Sequence, residues 1–158
     1  MPTLLTVQLA CTQTPHPSFA EMQRWVSATL SPSQDKISLN IRLVDETEIQ
    51  MLNKQYRHKD KVTDILSFPF MPPEGISGHF MGDIVLCTAK VNQDAAEQNK
   101  PYLDHWAHLC VHGTLHLLGF DHETDKEAEI MIKKEVEILH SLHIPDPWQH
   151  KESKHESS

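Results

Sequence analysis

Cysteine is scarce in this chain, which has three cysteines among its 158 residues. Cys11, Cys87 and Cys110 are odd in number and lie at wide, unrelated spacings. This pattern argues against a disulfide framework and against a cysteine-based metal knuckle. We therefore interpret the three residues as buried small hydrophobic side chains.

Long hydrophobic runs are also missing. Gln, His or a charged residue interrupts every apolar stretch well before the roughly 18 residues that a membrane-spanning helix needs. The first residues have no basic region ahead of an apolar run, so they do not resemble a secretory signal. We therefore expect a protein that stays in the cytoplasm and has no contact with a membrane.

Positive charge is limited, with 14 Lys and Arg against 22 Asp and Glu and a formal net charge of −8. A nucleic-acid-binding protein usually shows a basic surface, so this balance is unusual for that class. The acidity is concentrated between Asp121 and Ser158, which contain ten acidic residues and five lysines. The segment from Lys54 to Lys61 is locally basic instead, with a net charge of +3.

The length and composition predict one soluble domain of the α+β class. A chain of 158 residues with 39% hydrophobic residues is close to the usual size of a single domain with one core. We expect a mixed sheet of about four strands packed with about five helices. Residues 1–145 would form the domain, and residues 146–158 a polar, flexible tail.

Helix starts and strand alternation give the expected elements. Ile37, Leu39, Ile41 and Leu43 alternate with other residues, as in a half-buried strand. Three helices are predicted from a capping residue followed three positions later by Glu: Ser18 with Glu21, Asp45 with Glu48, and Thr124 with Glu127. The predicted helices cover 18–30, 45–57, 88–98, 101–118 and 124–142, and the predicted strands cover 3–9, 37–43, 65–68 and 83–87. In the second helix, Ile49, Leu52 and Tyr56 are spaced to face a core.

The segment from 112 to 122 carries the strongest chemical signal. His112 and His116 are four residues apart on a predicted helix, so both imidazoles lie on one face. Gly119 can adopt the left-handed conformation that ends a helix, and the returning chain brings His122 close as a third ligand. Three imidazoles suit zinc, nickel or copper, and zinc is usual where the reaction is hydrolytic. Three protein ligands leave one position open, where a zinc-bound water has a pKa of about 7.

The spacing of these histidines matches the metzincin motif, H-E-x-x-H-x-x-G-x-x-H. In metallopeptidases the Glu after the first His is the general base, whereas this chain has Gly113 there. Glycine cannot take or give a proton. The peptidase hypothesis therefore lacks a general base.

The stretch H-G-T-L-H-L-L-G-F-D-H from His112 to His122 resembles the signature of the YbeY endoribonuclease family. Two further blocks are similar to that family. The first is L-N-K-Q-Y-R-H-K-D at 52–60, which continues to T-D-I-L-S-F-P at 63–69, and the second is G-D-I-V at 82–85. The resemblance covers about residues 39–142. Phe120 and Val62 depart from the pattern, because Tyr and Pro are common at those positions. The resemblance implies an α+β domain, one zinc ion per chain held by the three histidines, and single-strand-specific RNA cleavage. It also implies a role in 16S rRNA 3′ maturation and ribosome quality control, with small-subunit ribosomal proteins and an assembly GTPase as partners.

Other site residues are assigned with this resemblance in view. Arg57 is predicted to be catalytic, because a guanidinium can grip two phosphate oxygens and the matching arginine of the family is considered essential. Lys59 and Lys61 are candidate contacts to the RNA backbone. Asp121 and His108 are candidates for orienting the metal ligands, and His105 for a structural role on the same helical stripe.

Three hypotheses stay open at this point. They are a zinc-dependent endoribonuclease, a zinc peptidase, and a non-catalytic ribosome assembly factor in which zinc holds the fold together. The attacking group is also open, because either a zinc-activated water or the 2′-hydroxyl of the RNA can serve.

Overall fold

A computed structural model describes residues 4–30, 37–70 and 80–148 of the chain. Thr3 of the first predicted strand, most of the predicted loop between 69 and 82, and residues 149–158 of the predicted tail lie outside these ranges. The described elements follow the order β1 (Leu4–Leu9), α1 (Phe19–Thr29), β2 (Ser38–Val44), α2 (Glu46–Arg57), β3 (Ile65–Pro69), β4 (Phe80–Cys87), α3 (Thr88–Glu97), α4 (Tyr102–Leu117) and α5 (Asp125–Ser141).

The four described strands form one mixed sheet in the order β1-β2-β4-β3. β1, β2 and β4 run parallel to one another, and β3 pairs antiparallel with β4 at the edge. The predicted α+β class, with four strands and five helices, is thereby confirmed. None of the helices in the described ranges is both long and apolar enough to cross a bilayer.

The sheet separates two hydrophobic clusters because neighbouring side chains of a strand point to opposite faces. On β4, Ile84 and Leu86 belong to the larger cluster, which α1, α4 and α5 complete. Val85 and Cys87 belong to a smaller cluster beside α2. The predicted alternation of β2 is confirmed, since Leu39, Ile41 and Leu43 are all fully buried on one face.

The predicted helix starts are confirmed with small differences. Ser18 of α1 and Thr124 of α5 form complete capping boxes. Asp45 caps α2 by accepting from the Glu48 N–H, but the Glu48 carboxylate binds Arg42 at 2.7 Å instead of returning to the cap.

Other details of the prediction are corrected. Pro101 occupies the cap position of α4, one residue before the helix begins. β4 begins at Phe80, three residues earlier than predicted, because Gly82 pairs with Pro69 of β3 and Phe80 pairs with Ser38 of β2. Tyr56 does not face the core. Its side chain is 55% exposed and packs edge-on against Phe68, with ring centroids 5.2 Å apart, because α2 covers only part of the sheet.

The cysteines behave as expected in part. Cys87 and Cys110 are buried and Cys11 is half-buried, and all three are free thiols. Trp106 is fully buried, and its Nε1–H donates to Asn92 Oδ1 at 2.8 Å.

Candidate metal centre

Helix α4 presents the first two histidines to one side of the molecule. Most of this helix is buried between the sheet and the other helices, which fixes its rotation about its own axis. His112 and His116 are only half-buried, one turn apart, and their Nε2 atoms lie 3.1 Å apart. The helix therefore holds two imidazole nitrogens at one point, as the spacing predicted.

A glycine turn brings the third histidine to the same point. Gly119 has φ of +102°, a conformation that side chains with a Cβ rarely adopt. An added Cβ would meet nothing within 4 Å, so the backbone conformation and not crowding selects glycine here. The Phe120 N–H donates to the Leu115 carbonyl at 3.1 Å and closes the turn. His122 then lies beside His116, with ring centroids 5.0 Å apart.

The three histidines satisfy the geometry of a cation site. One ligand atom of each of His112, His116 and His122 lies within 4.8 Å of the others. Bonds of 2.0–2.1 Å to tetrahedral zinc would place ligand nitrogens about 3.3 Å apart, close to the observed His112–His116 separation. Burial lowers the pKa of His116, and the neighbouring His112 and His122 lower it further. The neutral imidazole is the form that binds a metal, so these residues fit the predicted ion.

A buried carboxylate that the sequence analysis did not single out holds the ring of His112 in place. Glu135 of α5 is 1% exposed, and its Oε2 lies 2.6 Å from His112 Nδ1. Its other oxygen, Oε1, lies 2.8 Å from His108 Nε2. Burial raises the pKa of the Glu135 carboxyl, but hydrogen bonds from His108 and His112 outweigh it and bring the pKa to about 2. An ionised carboxylate only accepts, so His112 donates from Nδ1 and keeps the Nε2 lone pair for a metal.

A sequence signal for Glu135 existed. Along α5 and its C-cap, the buried residues Met131, Ile138 and Leu142 recur at helical spacing, and Glu135 falls on the same stripe. An acid among core positions needs a partner, because an unpaired buried charge is costly. The spacing of Glu135 with core residues therefore indicates a buried partner, whereas the identity of that partner depends on how the helices pack.

Other candidates for orienting the ligands are placed differently. His108 reaches His112 through Glu135. Asp121 Oδ1 accepts from the backbone N–H of His122 at 2.7 Å, so it holds the backbone of His122 and not its imidazole ring. His105 is buried, and neither of its ring nitrogens has a hydrogen-bond partner among the described residues.

Gly113 faces the sheet and not the open side of the site. A Cβ at this position would come within 3.0 Å of Ile65 Cδ1 and 3.2 Å of Ile84 Cδ1. Close packing of α4 against β3 and β4 accounts for the glycine. A larger side chain at position 113 would therefore press on Ile65 and Ile84, which would have to shift.

The three histidines open into a groove of about 840 Å³ that also contains the basic residues of the α2–β3 connection. Its wall includes Arg57, Lys59 and Lys61 together with the acidic Asp121 and Glu123. The structure thus brings every predicted basic residue to the same surface as the three histidines. The local excess of positive side chains contrasts with the net charge of −8 for the whole chain.

Asn53 shapes the basic loop. It is 2% exposed, its side chain donates to the Lys61 carbonyl at 3.0 Å, and its own carbonyl accepts from the Lys59 N–H at 3.2 Å. His58 ends α2 in a left-handed conformation with φ of 60°, which turns the chain back toward the groove. These bonds fix the backbone that carries Lys59 and Lys61, while their side chains stay exposed.

Arg57 is anchored across the groove. β3 is an edge strand, so the carbonyls of alternate residues point away from β4. The Ser67 carbonyl is one of these, and it accepts from Arg57 Nη2 at 2.8 Å. One of the five guanidinium donors is thereby used to position the group. Within residues 4–30, 37–70 and 80–148, the remaining donors have no hydrogen-bond partner.

The chain matches a known protein family over most of its length. The family model described as Endoribonuclease YbeY matches residues 10–143. The chain therefore belongs to the YbeY endoribonuclease family, as its motifs indicated. The Endoribonuclease YbeY of Colwellia psychrerythraea strain 34H is 48% identical to it over 150 residues, which cover 92% of this chain and 96% of that protein. The solution structure of TM1509 from Thermotoga maritima matches with a TM-score of 0.54 and 26% identity, over 89% of this chain and 92% of that one.

Proposed function

We propose that this protein is a zinc-dependent endoribonuclease that cuts single-stranded RNA in the 3′ maturation of 16S rRNA and in ribosome quality control. The observation that carries the proposal is the meeting of His112, His116 and His122 with Arg57 in one groove. The family name supports RNA as the substrate class.

The groove is suited to stabilising a phosphodiester during cleavage. Cleavage develops negative charge on the phosphoryl oxygens, and fixed positive groups lower the energy of that state. A zinc ion held by the three histidines supplies a Lewis acid and an open coordination position. Arg57, already held by the Ser67 carbonyl, points its remaining donors at a phosphate in the groove without first losing side-chain freedom. Lys59 and Lys61 contact neighbouring phosphates of the strand.

Two alternatives fit the site less well. A peptidase of the metzincin type needs an acid at position 113, where the structure has a glycine packed against Ile65 and Ile84. A purely structural zinc is usually enclosed by four protein ligands. Here three histidines face an open groove, and His122 is exposed.

The wider proposal concerns the setting in which the protein acts. We propose that the chain acts in the cytoplasm, in contact with small-subunit ribosomal proteins and an assembly GTPase. Residues 1–145 would form the catalytic domain and residues 146–158 a tail. Docking on such proteins would bring an acidic chain to RNA that its net charge alone does not attract. Cosedimentation of the purified protein with small subunits tests this part, and its absence at low salt would contradict it.

The catalytic proposal is tested by cleavage of a single-stranded RNA by the pure protein and three variants. Arg57→Ala should lower the rate by about 10²–10³-fold, the usual effect of removing one group that stabilises developing charge. His116→Ala should abolish both zinc binding and cleavage. Lys54→Ala is the matched control, because Lys54 lies on the same helix, has a 68% exposed side chain and is not part of the groove.

Each outcome has a clear meaning when circular dichroism shows that the variants are folded. Unchanged cleavage in both Arg57→Ala and His116→Ala would reject the catalytic proposal and indicate a contaminating nuclease. Equal losses in Arg57→Ala and Lys54→Ala would show that Arg57 acts only through general charge.

A further inference from the structure

The last described residues, 144–148, fold back onto helix α4. The Pro147 carbonyl accepts from the ammonium group of Lys100 at 3.4 Å, and Lys100 lies just before the helix. The half-buried ring of Trp148 then packs edge-on against His108 of α4, with ring centroids 5.6 Å apart. A residue near the C-terminal end of the chain therefore contacts the helix that carries two of the metal ligands.

The orientation of His108 depends on this contact. His108 Nε2 lies 2.8 Å from Glu135 Oε1, whereas its Nδ1 has no hydrogen-bond partner among the described residues. A histidine ring has broad torsional minima about its last single bond, so one hydrogen bond defines the plane of the ring only loosely. The Trp148 ring stands at 83° to the His108 ring and packs against it. This packing restricts the plane that the hydrogen bond leaves free.

Glu135 connects His108 with the metal centre. Its side chain is 1% exposed and that of His108 is 12% exposed, so their hydrogen bond is almost dry. The other carboxylate oxygen lies 2.6 Å from Nδ1 of the ligand His112. A hydrogen bond to a carboxylate is stronger where water is excluded. The position of the carboxylate, and through it that of His112, therefore depends on how well His108 is held and shielded.

Trp148 also shields this chain of contacts from water. Its indole and Pro147 form part of the wall of a cavity of about 540 Å³, whose lining on α4 includes His108 and His112. A smaller side chain at position 148 would enlarge the cavity on the side of His108. Water could then approach His108 and compete for the oxygen of Glu135 that the histidine now binds.

We propose that Trp148 is a positioning residue for the metal centre and acts on His112 through His108 and Glu135. The indole fixes the ring of His108 and keeps water from its hydrogen bond with Glu135. Glu135 in turn holds His112 with the Nε2 lone pair directed at the metal position. The inference rests on the proposed zinc centre, and it extends the residues that support this centre beyond the proposed end of the domain at 145.

The zinc affinity of the full-length protein tests the inference without RNA, by competition against a chromophoric chelator. Trp148→Leu should weaken zinc binding about fivefold. Direct partners of a metal ligand typically contribute about 10–100-fold, and Trp148 acts one contact further away. Trp148→Phe keeps an aromatic ring against His108 and should restore most of the affinity. Tyr102→Leu is the matched control, because it removes an aromatic ring from the same helix at a position that does not line the cavity.

A double variant tests the route of the effect. His108→Phe removes the hydrogen bond to Glu135 but keeps a ring against which Trp148 can pack, and it should weaken zinc binding about tenfold. Because Trp148 acts through His108, adding Trp148→Leu to His108→Phe should cause no further loss. Two independent effects would multiply instead.

Thermal unfolding first shows that each variant is folded at the temperature of the titration. Unaltered zinc affinity in folded Trp148→Leu would overturn the inference even if its melting temperature falls, because the indole would then only stabilise the fold. Equal losses in Trp148→Leu and Tyr102→Leu, or a further fivefold loss in the double variant, would also overturn it. Each of these results leaves the proposed endoribonuclease intact. An unaltered protein that binds no zinc would reject the metal centre and the role of Trp148 together.

Discussion

Replacing Glu135 with Gln tests whether a carboxylate from α5 prepares His112 to bind metal. The change preserves the size of the side chain but leaves one oxygen where two are needed. Glu135 now accepts from His112 Nδ1 at 2.6 Å and from His108 Nε2 at 2.8 Å. In the variant, one of these histidines faces an amide NH₂, so it must move its own proton to the opposite ring nitrogen.

The cost can be estimated from the geometry. If His112 changes tautomer, its proton lies on Nε2, the atom that faces His116 and the metal position. That proton must be displaced before metal can bind. Mutation of such supporting groups typically lowers metal affinity about 10–100-fold, which corresponds to roughly 1.4–2.7 kcal/mol. We expect zinc affinity to fall within this range.

The assay is competition for zinc against a chromophoric chelator at fixed pH. Glu137→Gln is the matched control, because Glu137 lies two residues away on the same helix and is exposed. The control should bind zinc like the unaltered protein. A folded Glu135→Gln variant with unchanged zinc affinity would refute the reasoning, since it would show that the buried carboxylate has only a packing role.

Three further predictions concern stability and reactivity. In the unaltered protein His105 is neutral when folded, with a pKa of about 4 against 6.5 when unfolded, so its unfolded state binds more protons between these values. The free energy of unfolding should therefore fall as pH decreases from 6.5 to 4, by at most about 3.4 kcal/mol. His105→Phe should remove this part of the fall in acid denaturation curves, and identical curves for the two proteins would contradict the prediction. Gly119→Ala should lower the free energy of unfolding by about 1–2 kcal/mol, because φ of +102° is strained for alanine. It should also weaken zinc binding, because His122 follows this turn. Urea unfolding and zinc titration measure the two effects, and no change in either would show that the turn adapts to alanine. Burial raises the pKa of the Cys110 thiol to about 12, so a thiol reagent should label it only after unfolding, and labelling in the native protein would show that α4 opens.

Much of the fold was predictable because its signals are local. The capping boxes at Ser18 and Thr124 and the alternation on β2 each depend on residues a few positions apart. Tyr56 shows where this reasoning fails. Its helical spacing from Ile49 predicted burial, but Tyr56 borders an open cavity over the sheet together with Asn40 and Val85, because α2 does not cover that part of the sheet.

The candidate site also has a part that depends on local sequence and a part that depends on tertiary packing. The spacing of His112, His116 and His122 is a property of one helix and one turn, so the sequence alone determined that three imidazoles can meet. Tertiary structure decided the rest, because each remaining contact joins two different elements of the fold. Glu135 reaches His112 from another helix, and the Ser67 carbonyl holds Arg57 only because β3 is an edge strand. The packing of α4 against β3 and β4 also places Gly113 against Ile65 and Ile84, at the position where the same spacing has an acid in a peptidase.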